Sequence, residues 1–270
     1  MRTASPARRR TPRPRRPPPR RPQVVALGGG GFTDDPGCDA LDRYVLEVTG
    51  RDAPRVCFLP TAGGDQSGYV VRFYRAFTAL GARPSHLPLF NRTAEDLRAP
   101  LLEQDAIYVG GGNTAALLAV WRVHGVDALL REAWSRGVVL AGLCAGAQCW
   151  FEAGVTASWG PRLAPLRDGL GVLPGSVCPH YGTRREAYHR FVAQGLPGGI
   201  GVDDGAALHY VGGTLSRVVT SRAGATAHRV ARDDGRVTET RLPATPLVPG
   251  AGGGALLRLP GPSHRGAAAH

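Results

Sequence analysis

The chain contains no lysine, so all 33 of its basic residues are arginine. That absence removes the phosphate-binding loop GxxxxGK[ST], which needs a lysine ammonium against the phosphates. Long apolar runs are missing too. None approaches the roughly 18 consecutive residues that mark a bilayer span, and the first residues hold no apolar core of a secretory leader. Five cysteines (Cys38, Cys57, Cys144, Cys149, Cys178) make an odd set with no CxxC and no Cys/His pairing at zinc-ligand spacing. Neither a disulfide framework nor structural zinc is expected. Reduced thiols fit a cytoplasmic chain that needs no metal or cofactor and no membrane.

The formal charge is +12, but nine arginines and no acid lie in the first 22 residues, which leaves +3 for the rest. The basicity belongs to a tail. Arginine and proline at that density cannot bury a core, so residues 1–22 are expected to be disordered. An electrostatic arm for nucleic acid or an acidic surface is the lesser reading, and nucleic acid is not an expected partner. Residues 243–270, rich in Gly, Pro and Ala, are expected to form a second disordered tail. One folded domain over 23–242 remains, with 43% hydrophobic residues in the whole chain, enough to build a core.

Inside that domain short apolar runs alternate with helical patterns. "QVVALGGGG", "RVCFLPTAGG", "DAIYVGGGNT" and "GVVLAG" read as strands emptying into glycine turns. Helical spacing predicts helices over "CDALDRYVLEVTG", "SGYVVRFYRAFTALG", "TAEDLRAPLLEQ" with Thr93 as its cap, and 114–136 broken near Gly125. The alternation predicts an α/β fold with a mainly parallel sheet sandwiched by helices, and ligands beyond the carboxyl ends of its strands. From Ala207 to Leu242, period-2 stretches separated by Gly-Gly and Asp-Asp-Gly predict a β-meander that extends or flanks the sheet. "GGGGF" is not the dinucleotide fingerprint GxGxxG, so the glycines are read as tight turns whose N–H groups rim a site.

The sharpest motif is "VVLAGLCAGAQCW", where G-x-C-A-G follows a strand and precedes a helix predicted over Ala145 to Phe151. This is a nucleophile elbow after a central strand, with Cys144 at the nucleophile position. A helix N-terminus aimed at the thiol would lower its pKa. The plainer alternative, that Cys144 is a small buried hydrophobe, holds for the other four cysteines. Among eight histidines His180 stands out in "CPHYGTRREAYHRF" as a strand end entering a loop, whereas His189 sits in a helical pattern and reads as a surface residue.

In that order, "DAIYVGGGNTAALL", "AGLCAGAQCWF" and "CPHYGTRREAYHRF" resemble the peptidase E and cyanophycinase family, an offshoot of the class I glutamine-amidotransferase-like fold. "VVALGGGG" and "RVCFLPTAGGD" fit as well, so the resemblance covers about residues 24–230. Members of that family are serine hydrolases, and the peptidase E type removes an N-terminal aspartate from dipeptides. The resemblance implies Cys144 in place of the serine, His180 as general base, and Gly111 with the Ala145 N–H as oxyanion hole. It also implies an acid downstream of the nucleophile, where this chain reads Ala157, Ser158 and Trp159. Glu152, Asp168 and Glu186 are the candidates to replace it. Asn113 and Thr114 are expected at the substrate, and Arg184 and Arg185 offer a fork for a substrate carboxylate.

The expected function is therefore hydrolysis of a small peptide or amide, Asp-X dipeptides among them, through an acyl-enzyme on Cys144. A catalytically inactive ligand-binding relative, or an amide hydrolase or acyltransferase of secondary metabolism, stay open as alternatives. A glutaminase of the amidotransferase type is disfavoured, because no H-x-E follows Cys144. An oligomer is compatible with the sequence.

Overall fold

A computed structural model describes residues 21–33 and 40–247. Cys38 and most of the two expected tails lie outside the described residues. Strands β1 (Gln23–Leu27), β2 (Arg55–Leu59), β3 (Arg83–His86), β4 (Ala106–Val109) and β5 (Val139–Leu143) lie parallel in the order β1-β5-β4-β2-β3. Helices α1 (Ala40–Val48), α2 (Ser67–Ala79), α3 (Arg98–Leu102), α4 (Thr114–His124) and α5 (Val126–Ser135) connect them. Residues of β1 alternate between two cores. Val24 and Ala26 share one with Leu117, Trp121 and Leu130 of α4 and α5, while Val25 and Leu27 share the other with Val45, Phe73 and Phe77 of α1 and α2. Burial on both faces is why these strands read as continuous apolar runs.

Beyond β5 come α6 (Ala145–Gln148), β6 (Phe151–Thr156), β7 (Ala164–Leu166), β8 (Leu173–Pro179), α7 (Tyr181–Ala193) and β9 (Gly199–Val202). The chain ends in β10 (Ala206–Val211), β11 (Thr214–Thr220), β12 (Ala227–Asp233), β13 (Arg236–Leu242) and β14 (Ala244–Pro246). These strands do not form one meander. β10 and β11 extend the first sheet antiparallel from β1, while β12 pairs with β9 and β13 with β12 in a second sheet of order β13-β12-β9-β8-β6-β7. Alternation marks a strand but not its partner. Here the turn at 203–205 passes the chain from the second sheet to the first, and residues 221–226 return it.

Two boundaries differ from expectation. The folded region runs past Leu242 to Leu247, since β14 pairs parallel with β11 and the Leu247 N–H donates to the Thr220 carbonyl at 2.7 Å. Pro246 is tolerated because an edge strand needs partners on one side alone. The helix expected from Thr93 begins at Arg98, where the Asp96 carboxylate accepts the Arg98 N–H at 2.8 Å and sets the start.

Candidate active site

Cys144 stands between β5 and α6 with φ 53° and ψ −110°. A non-glycine residue held there costs about 1–3 kcal/mol, which the surroundings must offset. They leave no alternative to the flanking glycines. A Cβ on Gly142 would lie 2.4 Å from the Gly146 carbonyl oxygen, and one on Gly146 would lie 2.2 Å from that of Val109. The helix after the elbow is shorter than expected, because Phe151 already pairs with Leu173 as part of β6. A single turn carries little dipole, so the thiol's environment is set by individual groups.

Those groups are organised by the end of β1. The Leu27 carbonyl accepts the Cys144 N–H at 3.2 Å, the Gly28 carbonyl accepts the His180 N–H at 3.1 Å, and the Gly29 carbonyl accepts the Gly205 N–H at 3.1 Å. Three successive carbonyls thus latch the elbow, the end of β8 and the turn after β9. His180 itself has φ 54° and leads directly into α7 rather than into a loop. Its Nδ1 lies 2.5 Å from Oδ1 of Asp204, the residue before Gly205. Nε2 is left for the Cys144 thiol, whose ionisation the ring favours.

Burial alone would push the Cys144 thiol up. The His180 hydrogen bond and charge, the Arg184 cation and the Ala145 N–H outweigh it, and the thiol sits below its ordinary value. His180 is held above the ordinary histidine value, first by its hydrogen bond to Cys144 against the cost of burial, then by the Asp204 carboxylate. Burial pushes Cys57 and Cys178 up to about 12 and Cys149 well above the ordinary thiol value. Among the described cysteines, Cys144 is the one tuned toward a thiolate.

The three expected acids are elsewhere. Glu152 accepts the Gly175 N–H at 2.8 Å, Asp168 pairs with Arg122 at 2.8 Å, and Glu186 is exposed on α7. Asp204 takes the position beside His180, and nothing in the sequence analysis singled it out. The available signal was its place at the carboxyl end of β9 beside a glycine, where α/β sheets collect their functional groups. Its neighbour Asp203 accepts the Thr226 N–H at 3.0 Å instead.

Other expected site residues divide in the same way. Arg184 lies close enough to act on the Cys144 thiol and donates to the Val155 carbonyl at 3.3 Å, whereas Arg185 is tied to Glu239 at 2.7 Å. His189 is half-buried against the same carboxylate at 2.9 Å, not on the surface. Thr114 is buried, its hydroxyl donating to Gln148 at 2.7 Å, which removes it from substrate. Asn113 caps α4 by accepting the Ala116 N–H at 2.9 Å and donates to the Ser158 carbonyl at 2.9 Å. Gly111 is at the site, but its N–H donates to the Tyr69 hydroxyl at 2.9 Å and is not free for an oxyanion. Tyr69, on α2, is a second residue that sequence reasoning did not reach.

Comparison with known proteins places the chain in a family. The chain is 50% identical over 225 residues to "Uncharacterized peptidase YgaJ" of Bacillus subtilis, covering 82% of this chain and 97% of that protein. It is 31% identical to "Peptidase E" of Shewanella denitrificans over 50% of this chain and 62% of that protein. It is 29% identical to "Probable alpha-aspartyl dipeptidase" of Drosophila melanogaster over 58% and 69%. The crystal structure of a peptidase from an acI-B1 Actinobacterium superposes with TM-score 0.59 at 20% identity, over 83% of this chain and 95% of that one, a likeness of fold. Residues 24–218 match peptidase family S51, and the chain belongs to that family.

Proposed function

We propose that the protein hydrolyses small peptides through a thioester on Cys144, with His180 as acid and base and Asp204 as the carboxylate that orients it. The observation that carries this reading is the latching of Cys144, His180 and Gly205, the residue after Asp204, onto the consecutive carbonyls of Leu27, Gly28 and Gly29, with Cys144 lowered and His180 raised. Both shifts favour a thiolate–imidazolium pair as the reacting form. Sγ attacks the scissile carbonyl carbon, the Ala145 N–H holds the developing oxyanion, and His180 Nε2 protonates the leaving amine. Water then attacks the thioester, giving a proton to His180 and releasing the thiolate.

Asp-X dipeptides are the proposed substrates, on the strength of relatives named peptidase E and alpha-aspartyl dipeptidase. Arg184, half-buried beside the thiol, is the cation for the aspartyl carboxylate; Arg185 is engaged by Glu239. The inactive-relative alternative rests on the missing acid and on the cysteine at the serine's place; the Asp204 carboxylate beside His180 speaks against the first ground.

Iodoacetamide labelling against pH, read peptide by peptide, tests the proposal. Cys144 is expected to react faster than Cys57, Cys149 and Cys178, with an apparent pKa below the free-thiol value of about 8.5. Labelling no faster than at the other three would overturn it. His180→Ala is expected to raise the Cys144 value, because it removes the hydrogen bond and charge that offset burial.

Asp204→Asn tests the third member. Loss of its carboxylate removes one of the interactions that raise His180, so the alkaline limb of kcat, set by loss of the imidazolium proton, should move to lower pH. The expected fall in kcat on Asp-Leu is about 10- to 100-fold, less than the roughly 10⁴-fold of a serine triad, because a thiol ionises more readily. An unchanged profile and rate would remove Asp204 from the site.

A further inference from the structure

We propose that the Tyr69 hydroxyl is the second donor of the oxyanion hole, standing with the Ala145 N–H against the carbonyl oxygen of the acyl group on Cys144. The inference rests on the reading of Cys144 as an acyl-forming nucleophile.

The first observation is an exchange of roles. Gly111, whose N–H the elbow fold would offer to an oxyanion, donates instead to Tyr69 Oη at 2.9 Å. That bond occupies a lone pair of the phenol oxygen and leaves its hydrogen to give. Among the described residues no carbonyl, carboxylate or imidazole is bonded to that hydrogen.

The second observation is placement. Gly110 and Gly111 leave β4 alongside the elbow, and they touch both partners. A Cβ on Gly110 would lie 3.0 Å from Tyr69 Oη, and a Cβ on Gly111 would lie 3.3 Å from Cys144 Cβ. Tyr69 and Cys144 therefore flank the Gly110-Gly111 pair, and Cys144 is close enough to act electrostatically on the phenol. The tyrosine ring is fixed, stacked on Phe32 at 5.5 Å and set edge-on to Phe58 at 5.1 Å, with the Arg72 guanidinium 5.4 Å from its centre. A fixed donor needs no reorganisation as charge develops, which is what makes such a group catalytic.

The third observation concerns the proton. Burial, only partly countered by the Gly111 N–H, pushes the phenol up to about 12, so it remains a donor across the range in which a Cys–His pair works. The chain Gly111 N–H to Tyr69 O–H to oxyanion polarises in one direction, and each bond strengthens the next. When Sγ bonds to the carbonyl carbon, the C=O π pair moves onto oxygen and both donors tighten on it. As the C=O re-forms, the C–N bond breaks and the amine leaves with the His180 proton.

The test separates acyl transfer from alkylation on the same sulfur. p-Nitrophenyl acetate acetylates a thiolate through a tetrahedral oxyanion and releases p-nitrophenolate. Iodoacetamide alkylates it by displacement of iodide and forms no oxyanion. In Tyr69→Phe, acetylation of Cys144 is expected to slow about 10²-fold, the scale of one lost oxyanion donor, while alkylation and its pH dependence stay as in the wild type. Equal slowing of both reactions would assign Tyr69 to folding or thiolate tuning, and an unchanged acetylation rate would remove it from the hole. Either result overturns the proposal, as does a wild-type Cys144 that alkylates but never acetylates.

Should Tyr69→Phe fail to fold, 3,5-difluorotyrosine at position 69 keeps the ring and ionises at lower pH. Acetylation should then fall across that ionisation with alkylation unaffected; parallel pH profiles would overturn the assignment. Wild-type protein that acetylates at Cys144 yet leaves Asp-Leu intact would refute the dipeptide reading alone.

Discussion

Cys144→Ala is expected to abolish hydrolysis of Asp-Leu, by about 10⁴-fold or more, the scale seen when a covalent nucleophile is removed. The loss should not come from unfolding. Alanine keeps the Cβ that the elbow already accommodates at φ 53°, the Cys144 N–H to Leu27 latch belongs to the backbone, and one sulfur is deleted. The melting temperature should therefore stay close to that of the wild type. Turnover retained by Cys144→Ala would sink the covalent mechanism outright.

Cys144→Ser separates two mechanisms that share this geometry. A hydroxyl does not ionise in the working range, so His180 loses the largest contribution that raises it, and its pKa should fall toward the ordinary histidine value. Its task also reverses. Beside a thiolate it must hold a proton, and activity declines as pH rises through its pKa; beside a serine it must be neutral, and activity climbs through the same ionisation. The histidine limb should therefore invert between wild type and variant, with the serine form slower. A serine variant faster than the wild type, with an uninverted limb, would show a site still tuned for oxygen.

The parts of this site that were legible in the sequence are those that local chain geometry dictates. G-x-C-A-G after an apolar run gives an elbow because bulk at Gly142 or Gly146 would meet backbone within about a bond's length of contact, and such a constraint is written in adjacent residues. His180 was found because a strand ends there. Asp204 and Tyr69 were missed for the opposite reason: each reaches the site through tertiary packing. Asp204 arrives in a turn that joins two sheets, whereas the sequence pattern predicts a single meander that extends or flanks the sheet. Tyr69 lies in a helical pattern whose inward face also carries Phe73 and Phe77, so nothing local distinguishes the ring that serves the core from the one that reaches Gly111. The fold class followed from the alternation of periods, while the partition of the late strands depended on register and partner, which alternation does not encode.

Gly29→Ala is the second change expected to have a large effect, although Gly29 carries no chemistry. A Cβ there would stand 2.0 Å from Asp204 Oδ1, 2.8 Å from His180 Cε1 and 2.9 Å from His180 Nδ1. The methyl group must therefore displace the carboxylate, the ring or both, although the Gly29 backbone is not in the left-handed region and would accept alanine. A shift of about 1 Å in a catalytic group costs roughly 10²-fold in rate, and here two groups move, so a loss of 10²- to 10³-fold in kcat is expected. The Cys144 labelling pKa should rise at the same time, as its hydrogen bond to His180 lengthens. Gly68→Ala in α2 is the control. No atom lies within 4 Å of its added Cβ, and alanine in an exposed helix turn should leave kcat unchanged and stabilise the fold by about 0.5–1 kcal/mol. A Gly29→Ala enzyme with wild-type kcat and an unshifted Cys144 pKa would mean that the Asp204–His180 contact is not part of catalysis. Loss of activity with the melting temperature retained would tie the glycine-rich end of β1 to the chemistry through the space it leaves empty.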